Sequence, residues 1–471
     1  MRWISMKFKQ GIDQNQEFLF PKKSSDFLSD DHLAKAVYEI VDLLNVDKIE
    51  ARYSDIGQNA YSPKMMVRIL FYGYSVSIRS SRKISNGCED RFDFLYLTDG
   101  LKPSHDRISD FRKENLEELK QLFKEIVLIG ANLGLAKFGN IKTSIDGSKF
   151  RANASPKLTK DEEGLQKLLK KTEEEINKIF EEAEKIDIGE DEKYGKTNRG
   201  DELPKHLRSK KSRQNAIREA YEKLKKQKEQ MKEKIRTDKA REPTNAELKK
   251  IEATKINITD HDAKFMKERC GVIKPNYNAQ ISVEEKEQFI LANDVVDECN
   301  DQHQLVPMLN QTKENIEENP KQAKADNGYY PQLEAATELF PDIDLYVDDR
   351  NRRKENLDLK KIKQEYTKVK YKNLKKLLSK KGNTEYKKRM HTAEPPIGNI
   401  KFNLGYRHFL LRSLPKVKGE FNLMCIAHNI KKIVSFVTKN KITLTKALIN
   451  IKENLINTAK IKINDKLNIT F

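Results

Sequence analysis

Between residues 141 and 146 apolar and polar side chains alternate, with Ile141, Thr143 and Ile145 on one side and Lys142, Ser144 and Asp146 on the other. That is the period-two pattern of a half-buried strand, and Gly147 is expected to end it. Strand patterns return at Asn276–Val283 and Gln288–Val296. A polar Glu-Glu-Lys-Glu connection joins them and predicts a hairpin. A helix is expected to begin at Leu305–Leu309. Short strands are expected at Gln322–Asp326 and Ile343–Val347, and a helix-rich basic stretch at 351–391. Before residue 139 the pattern is helical. Ser62-Pro63 starts a helix with Met66, Ile69, Leu70 and Gly73 on its apolar side, and Ser80 caps a second. After a turn at Asp99–Pro103, Ser104 caps a short helix. Its Ile108 and Phe111 face inward, leaving His105, Arg107 and Arg112 to point elsewhere. Helix, turn and short polar-faced helix is the arrangement of a helix-turn-helix reader. A plain bundle with solvated basic residues fits the same pattern.

A highly charged stretch, 158–255, interrupts the strands. Leu165, Leu169, Thr172, Ile176, Ile179, Ala183 and Ile186 step by fours and threes. So do Ile217, Tyr221, Leu224, Lys228, Met231 and Ile235, with Lys228 a polar break. Two heptad seams around a loop at 188–204 predict an antiparallel helical hairpin, either a spacer or a DNA contact.

These patterns divide the chain into a helical, helix-turn-helix-like N-terminal domain at 1–138 and an α/β domain at 139–157 and 256–435. The charged hairpin insertion is at 158–255 and a basic C-terminal tail at 436–471. Three strands followed by strand–helix alternation make the core a mixed sheet in an α/β domain. The implied strand order is that of the RNase H-like fold.

Composition adds a partner. The chain has 471 residues and a formal net charge of +19, with 35% charged and 37% hydrophobic residues. The length supports more than one domain, and the low apolar fraction assigns part of it to solvated helix. Excess Lys and Arg suit a nucleic acid, whose phosphates release counterions on binding. The same abundance of Lys, Asn and Ile is also what an A+T-rich gene encodes. Cys88, Cys270, Cys299 and Cys425 are too far apart for a Cys-x-x-Cys metal site and suit reduced thiols. The N-terminus lacks the apolar core of a signal peptide, and no run of about 18 apolar residues occurs. A cytoplasmic protein with no membrane partner is expected.

Three acids lie in short, constrained stretches: Asp146 at its strand end, Asp326 in Ala-Lys-Ala-Asp-Asn-Gly-Tyr-Tyr, and Glu394 in His-Thr-Ala-Glu-Pro-Pro-Ile-Gly. If the fold gathers them, they can hold two magnesium ions, which activate a nucleophile and stabilise a leaving oxygen at phosphorus. Asp260, Asp262, Asp294, Asp297, Asp348 and Asp349 compete for that description. Asp260 and Asp262 suit a cap or ion pair better. His428 and Asn429 suit packing or capping near the last helix.

The chain resembles the DDE transposases of bacterial insertion sequences, in particular the insertion-sequence-1182 type. The resemblance is carried by Leu70-Phe-Tyr-Gly-Tyr74, Ile78-Arg-Ser-Ser-Arg82, Ser104-His-Asp-Arg-Ile-Ser-Asp-Phe-Arg112 and Asp146-Gly-Ser-Lys-Phe-Arg-Ala-Asn-Ala154. It continues in Thr259–Lys267, Tyr277–Gln280, Ala325–Tyr329, Glu394–Lys401, Gly405–Arg412 and Leu423–Asn429. It implies that Asp146, Asp326 and Glu394 are catalytic and bind two Mg2+, with Mn2+ a substitute. Related transposases carry a Tyr-x2-Arg-x3-Glu-x6-Lys signature. Tyr386, Arg389, Glu394 and Lys401 follow it with four residues, not three, between Arg389 and Glu394. Pro395 and Pro396 suit a helix starting at Glu394, with Arg389 in its approach. Lys401, Arg389, Tyr386, Arg107, Arg112, Arg407 and Arg412 are the implied DNA contacts, although a solvated basic face is the alternative for the arginines near 407–412. The resemblance further implies a homodimer on double-stranded DNA, binding the element's inverted repeats and target DNA near the nucleoid. The rival is a decayed or co-opted transposase that only binds DNA.

Overall fold

The computed structural model describes residues 24–53, 59–194, 205–268, 271–354 and 357–451. The chain divides into two compact units. One comprises residues to Gly73, Ile78–Arg112 and the segment from Thr443. The other comprises Tyr74–Ser77 and Lys113–Ile442.

The first unit is helical, with α1 (Leu33–Leu43), α2 (Asp47–Glu50), α3 (Pro63–Ser75), α4 (Ser81–Asp90), α5 (Phe92–Leu97) and α6 (His105–Glu114). The amphipathic spacing of α1 buries Val37, Ile40 and Val41, and that of α3 buries Met66, Ile69 and Leu70. Gly73 is required by a close approach: a Cβ there would stand 2.7 Å from the Ile78 carbonyl oxygen. Leu448 and Ile451 are buried, and Thr445 donates to Glu39 of α1 at 2.9 Å. Part of the expected C-terminal tail therefore packs with this unit. Residues 452–471 lie outside the described residues.

The second unit opens with α7 (Leu116–Leu133) and β1 (Lys142–Arg151). After the inserted segment come β4 (Lys264–Lys267), β5 (Ile273–Glu284), β6 (Ile290–Val296), α11 (Leu305–Ile316), β7 (Gln322–Ala325), α12 (Leu333–Leu339) and β8 (Asp344–Val347). Then follow α13 (Leu359–Glu365), α14 (Lys368–Leu378), α15 (Lys380–Gly398) and α16 (Leu414–Lys439). The sheet is mixed, in the order β4-β5-β1-β7-β8, with β6 paired to β5. β1 runs antiparallel to β5 and parallel to β7, and β7 parallel to β8. On one face Ile145, Ala323, Ala325, Leu345 and Val347 pack against Leu305, Met308 and Leu309 of α11 and Leu333 of α12. The other face carries α15, as ion pairs of Glu385 with Lys142 and Lys324 record. β1 does not stop at Gly147. It continues to Arg151 because β5 supplies a partner for every position through Asn276.

The insertion leaves and returns through a two-stranded ribbon, β2 (Thr159–Lys160) with β3 (Ile256–Asn257). Between them lie α8 (Glu162–Tyr194), α9 (Lys205–Lys239) and α10 (Asn245–Glu252). Gln166 reaches Tyr221 and Lys210 reaches Glu175, so α8 and α9 run antiparallel. Leu165, Ile217 and Leu224 form the seam with Ala220. Lys228, the polar break, is buried and pairs with Glu162 at 2.6 Å and Glu252 at 2.7 Å, fastening α8, α9 and α10 together. The expected seam residues Ile179, Ala183 and Ile186, and most of the 188–204 loop, lie outside the residues described in full.

Candidate active site

Asp146 and Asp326 come together through strand register. Ser144 of β1 pairs with Lys324 of β7, so two residues on, Asp146 and Asp326 stand level where β7 ends. Asp326 then caps the following turn, accepting from the Gly328 N–H at 2.8 Å. α15 crosses above and sets Arg389 Nη1 3.3 Å from Asp146 Oδ1. Burial lifts the Asp146 carboxyl to about 6; Arg389 opposes this, while Asp326 and Asp301 reinforce it. Asp326 is raised by the same burial, again against Arg389.

Asp301 is the residue the sequence pattern missed. Its Oδ1 accepts from the side-chain amides of Asn278 at 2.7 Å and Gln280 at 2.6 Å. A Cβ on Gly147 would lie 2.6 Å from that oxygen, and one on Gly328 would lie 3.4 Å from Oδ2. Asp301 thus sits between the glycines that follow the two site aspartates. Gln280 also accepts a short hydrogen bond from Tyr329, just after Asp326. A signal was present: Asn276, Asn278, Gln280 and Ser282 alternate along β5, and all are fully buried. A solvated strand face usually carries charge, whereas an amide-and-hydroxyl stripe fits a buried acceptor.

Glu394 lies on α15 between Arg389 and Lys401 and is half-buried. Among the described residues no group of three or more acidic, His or Cys side chains is gathered closely enough to hold a metal. Strand register sets the two aspartates level, while the three expected acids do not form such a group. α15 does not begin at Glu394 but runs through Pro395 and Pro396, so Arg389 is helical too. Proline removes the N–H that the carbonyl four residues earlier would accept. The Gln288 side chain supplies a substitute donor to the His391 oxygen at 2.9 Å. A π-helical turn, Asn399–Asn403, follows, and its Lys401 donates to Ser148 Oγ at 2.7 Å and the Lys149 oxygen at 2.6 Å.

The other expected DNA contacts divide. Arg107, Arg407 and Arg412 are exposed. Arg112 is buried and donates to the Arg79 carbonyl at 3.1 Å, tying α6 to the start of α4; it is not offered to a phosphate. Its neighbours Ile108 and Phe111 are buried as expected, and the inward stripe extends one residue further to include it. Tyr386 is buried, with the Arg352 guanidinium 4.6 Å from its ring centroid. Arg389 faces Asp146.

Most of the competing acids have other work. Asp260 accepts from Tyr277 and the Ser413 N–H, and Asp262 from the Leu414 N–H, at the start of α16. Asp348 pairs with Arg352 and Arg353. Asp349 accepts from Tyr330 and Asn351, and Asp294 pairs with Lys418. Asn429 bonds both backbone groups of Ile290, and His428 bridges Asn399 and the Gln288 carbonyl, knitting α16 to the sheet.

Buried Asp146 and half-buried Asp326, level on β1 and just past the end of β7, have their proton affinity raised by burial and by neighbouring carboxylates, and oxygen donors of this kind fit a hard divalent cation. Arg389 opposes both, with Lys149 also coupled to Asp326 and Asp301, and the Arg389 Nε and Nη1 donate no hydrogen bond.

Residues 22–114 match a family model described as a transposase domain, and residues 349–434 match one described as a transposase DDE domain. Over these two segments the chain is similar to transposases, which supports a DDE transposase. The second spans Arg389, Glu394 and Lys401, and lies outside the segments holding Asp146 and Asp326. No curated protein and no solved structure matches the chain. No described helix is long and apolar enough to cross a membrane.

Proposed function

We propose that this chain is a magnesium-dependent DDE transposase of the insertion-sequence-1182 type. It binds the terminal inverted repeats of its own element, cleaves a strand at each end and transfers it. The observation that carries the reading is the Asp146–Asp326 pair, set level on parallel strands of a mixed sheet. The sheet order, with an antiparallel hairpin beside β1 and parallel β7 and β8 beyond it, supports an RNase H-like core.

Asp146 and Asp326 would hold the divalent ions, and Glu394 is the third acid. Bound there, the metal supplies Lewis-acid stabilisation and an activated nucleophile for in-line displacement at phosphorus. Asp301 accepts from the Asn278 and Gln280 amides and so braces the strand after Asp146 and the turn after Asp326. Arg389 neutralises the pair, and Lys401 fixes the π turn against β1. The helical unit recognises the ends, and a dimer on DNA pairs two of them.

The test uses a supercoiled plasmid carrying the reading frame with its flanking DNA, incubated with protein and Mg2+. Nicking at the frame's boundaries is expected. Asp146→Ala, Asp326→Ala and Glu394→Ala should each abolish cleavage and keep binding in a gel shift. Full cleavage by any one variant removes that residue from the reading.

One observation favours a second reading, a protein that binds ends without cutting them: among the described residues no three acidic, His or Cys side chains are gathered to hold a metal. Binding by the unaltered chain with no nicking in Mg2+ or Mn2+ would establish it.

A further inference from the structure

We propose that a cleft at the far end of β1 seats the sugar-phosphate backbone of the DNA whose reacting bond lies at Asp146. This rests on the transposase reading. The cleft, about 540 Å³, is lined by Arg151, Asn153, Thr259, Arg407, His408 and Arg412 among others, with no carboxylate in its wall. That volume suits a nucleotide-sized group.

The wall is built to be rigid. The Phe409 N–H donates to the Arg151 oxygen at 2.8 Å, which continues the sheet edge into the 407–412 segment. Asn153 Nδ2 donates to the Leu410 oxygen at 2.6 Å, and Arg412 Nε to the Asn153 oxygen at 2.9 Å. Glu420, fully buried, accepts from the Leu410 and Leu411 N–H groups at 2.9–3.0 Å and pins the loop from within. Arg151 is neutralised by a two-pronged pair with Glu268. Arg407 and Arg412 are exposed and supply the cleft's outward charge.

β1 fixes the distance. Arg151 is five residues beyond Asp146 on the same strand. At about 3.3 Å per residue the separation is roughly 17 Å. A duplex strand spaced at about 3.4 Å per nucleotide covers that in roughly five base pairs. Lys401, held against Ser148 and Lys149, lies between the two points.

The experiment measures binding of a fluorescent mixed-sequence duplex of about 30 base pairs by anisotropy, in EDTA, from 50 to 200 mM KCl. Each phosphate contact contributes about 0.9 to the slope of log K against log salt. R407A/R412A should bind more weakly, with a slope shallower by about 1.8, and R407K/R412K should keep the original slope. Circular dichroism checks that both variants are folded. Unchanged affinity and slope in R407A/R412A, with the unaltered chain binding normally, overturns the cleft and leaves the transposase reading standing. Absence of DNA binding by the unaltered chain overturns both. Tighter binding of an RNA duplex of the same sequence overturns the assignment to DNA.

Discussion

Two charge clusters lie side by side beneath α15, on the same two strands, and they are balanced differently. In the first, fully buried Lys324 of β7 pairs with Glu285 and with Glu385 of α15, while Lys142 and Lys388 also reach Glu385. These cations hold the Glu385 carboxyl down at about 2, despite its burial. In the second, two residues further along both strands, Asp146 and Asp326 face the guanidinium of Arg389, with Asp301 and Lys149 beside them, and the Asp146 carboxyl is pushed up to about 6. The first cluster is closed and holds a helix on a sheet. The second keeps an excess of negative charge where β7 ends, at a place where a structural role would favour neutralisation. On the proposed reading, the less neutralised carboxylates mark the end of the strands where the metal would sit.

The largest expected effect comes from removing the charge of the second cluster. Asp326→Asn should lower strand cleavage by at least about a thousandfold, about 4 kcal/mol of transition-state stabilisation. A nicking time course on the plasmid substrate measures it. Cleavage within tenfold of the unaltered chain would erase the distinction between the clusters.

Next comes breaking the closed cluster. Lys324→Met removes the buried cation that Glu285 and Glu385 share, leaves them Lys142 and Lys388, and should destabilise the unit by about 1.5–3 kcal/mol, read as a fall in thermal midpoint. An unchanged midpoint would mean that the network does not hold α15.

The pH dependence should also separate the clusters. Asp146 has its folded value raised from an ordinary 3.8 to about 6. Between those values the folded chain holds a proton that the unfolded chain has released, so metal-free stability falls as pH rises through that window. The loss is at most about 3 kcal/mol. Glu385 is shifted the other way, and its contribution is lost as pH falls toward 2. Asp146→Asn should flatten the first trend and raise the metal-free melting temperature at pH 8. A steeper fall above pH 6 would reverse the assignment. The smallest effect belongs to Gln288→Ala, which frees the His391 carbonyl and should cost about 1 kcal/mol in thermal stability. No change would leave the helix through Pro395 and Pro396 unexplained by that bond.

The sheet and its two aspartates were legible because alternation fixed β1 and because strand–helix alternation makes β7 its parallel neighbour. What escaped depends on distant partners. Asp301 lies in a loop without periodicity, and its role comes from amides on β5. The passage of α15 through two prolines relies on a glutamine from the β5–β6 turn. Arg112 has the sequence of a surface arginine, yet it is drawn inward by a backbone carbonyl of Arg79 that no local pattern announces.

The account rests on the Asp146–Asp326 pair as a cation seat, and calorimetric titration of Mg2+ into the full chain tests it most directly. Saturable binding is predicted at pH 8, weaker at pH 5.5 as Asp146 gains its proton, and absent in Asp146→Asn/Asp326→Asn. Equal Mg2+ affinity in that double variant and the unaltered chain would contradict it.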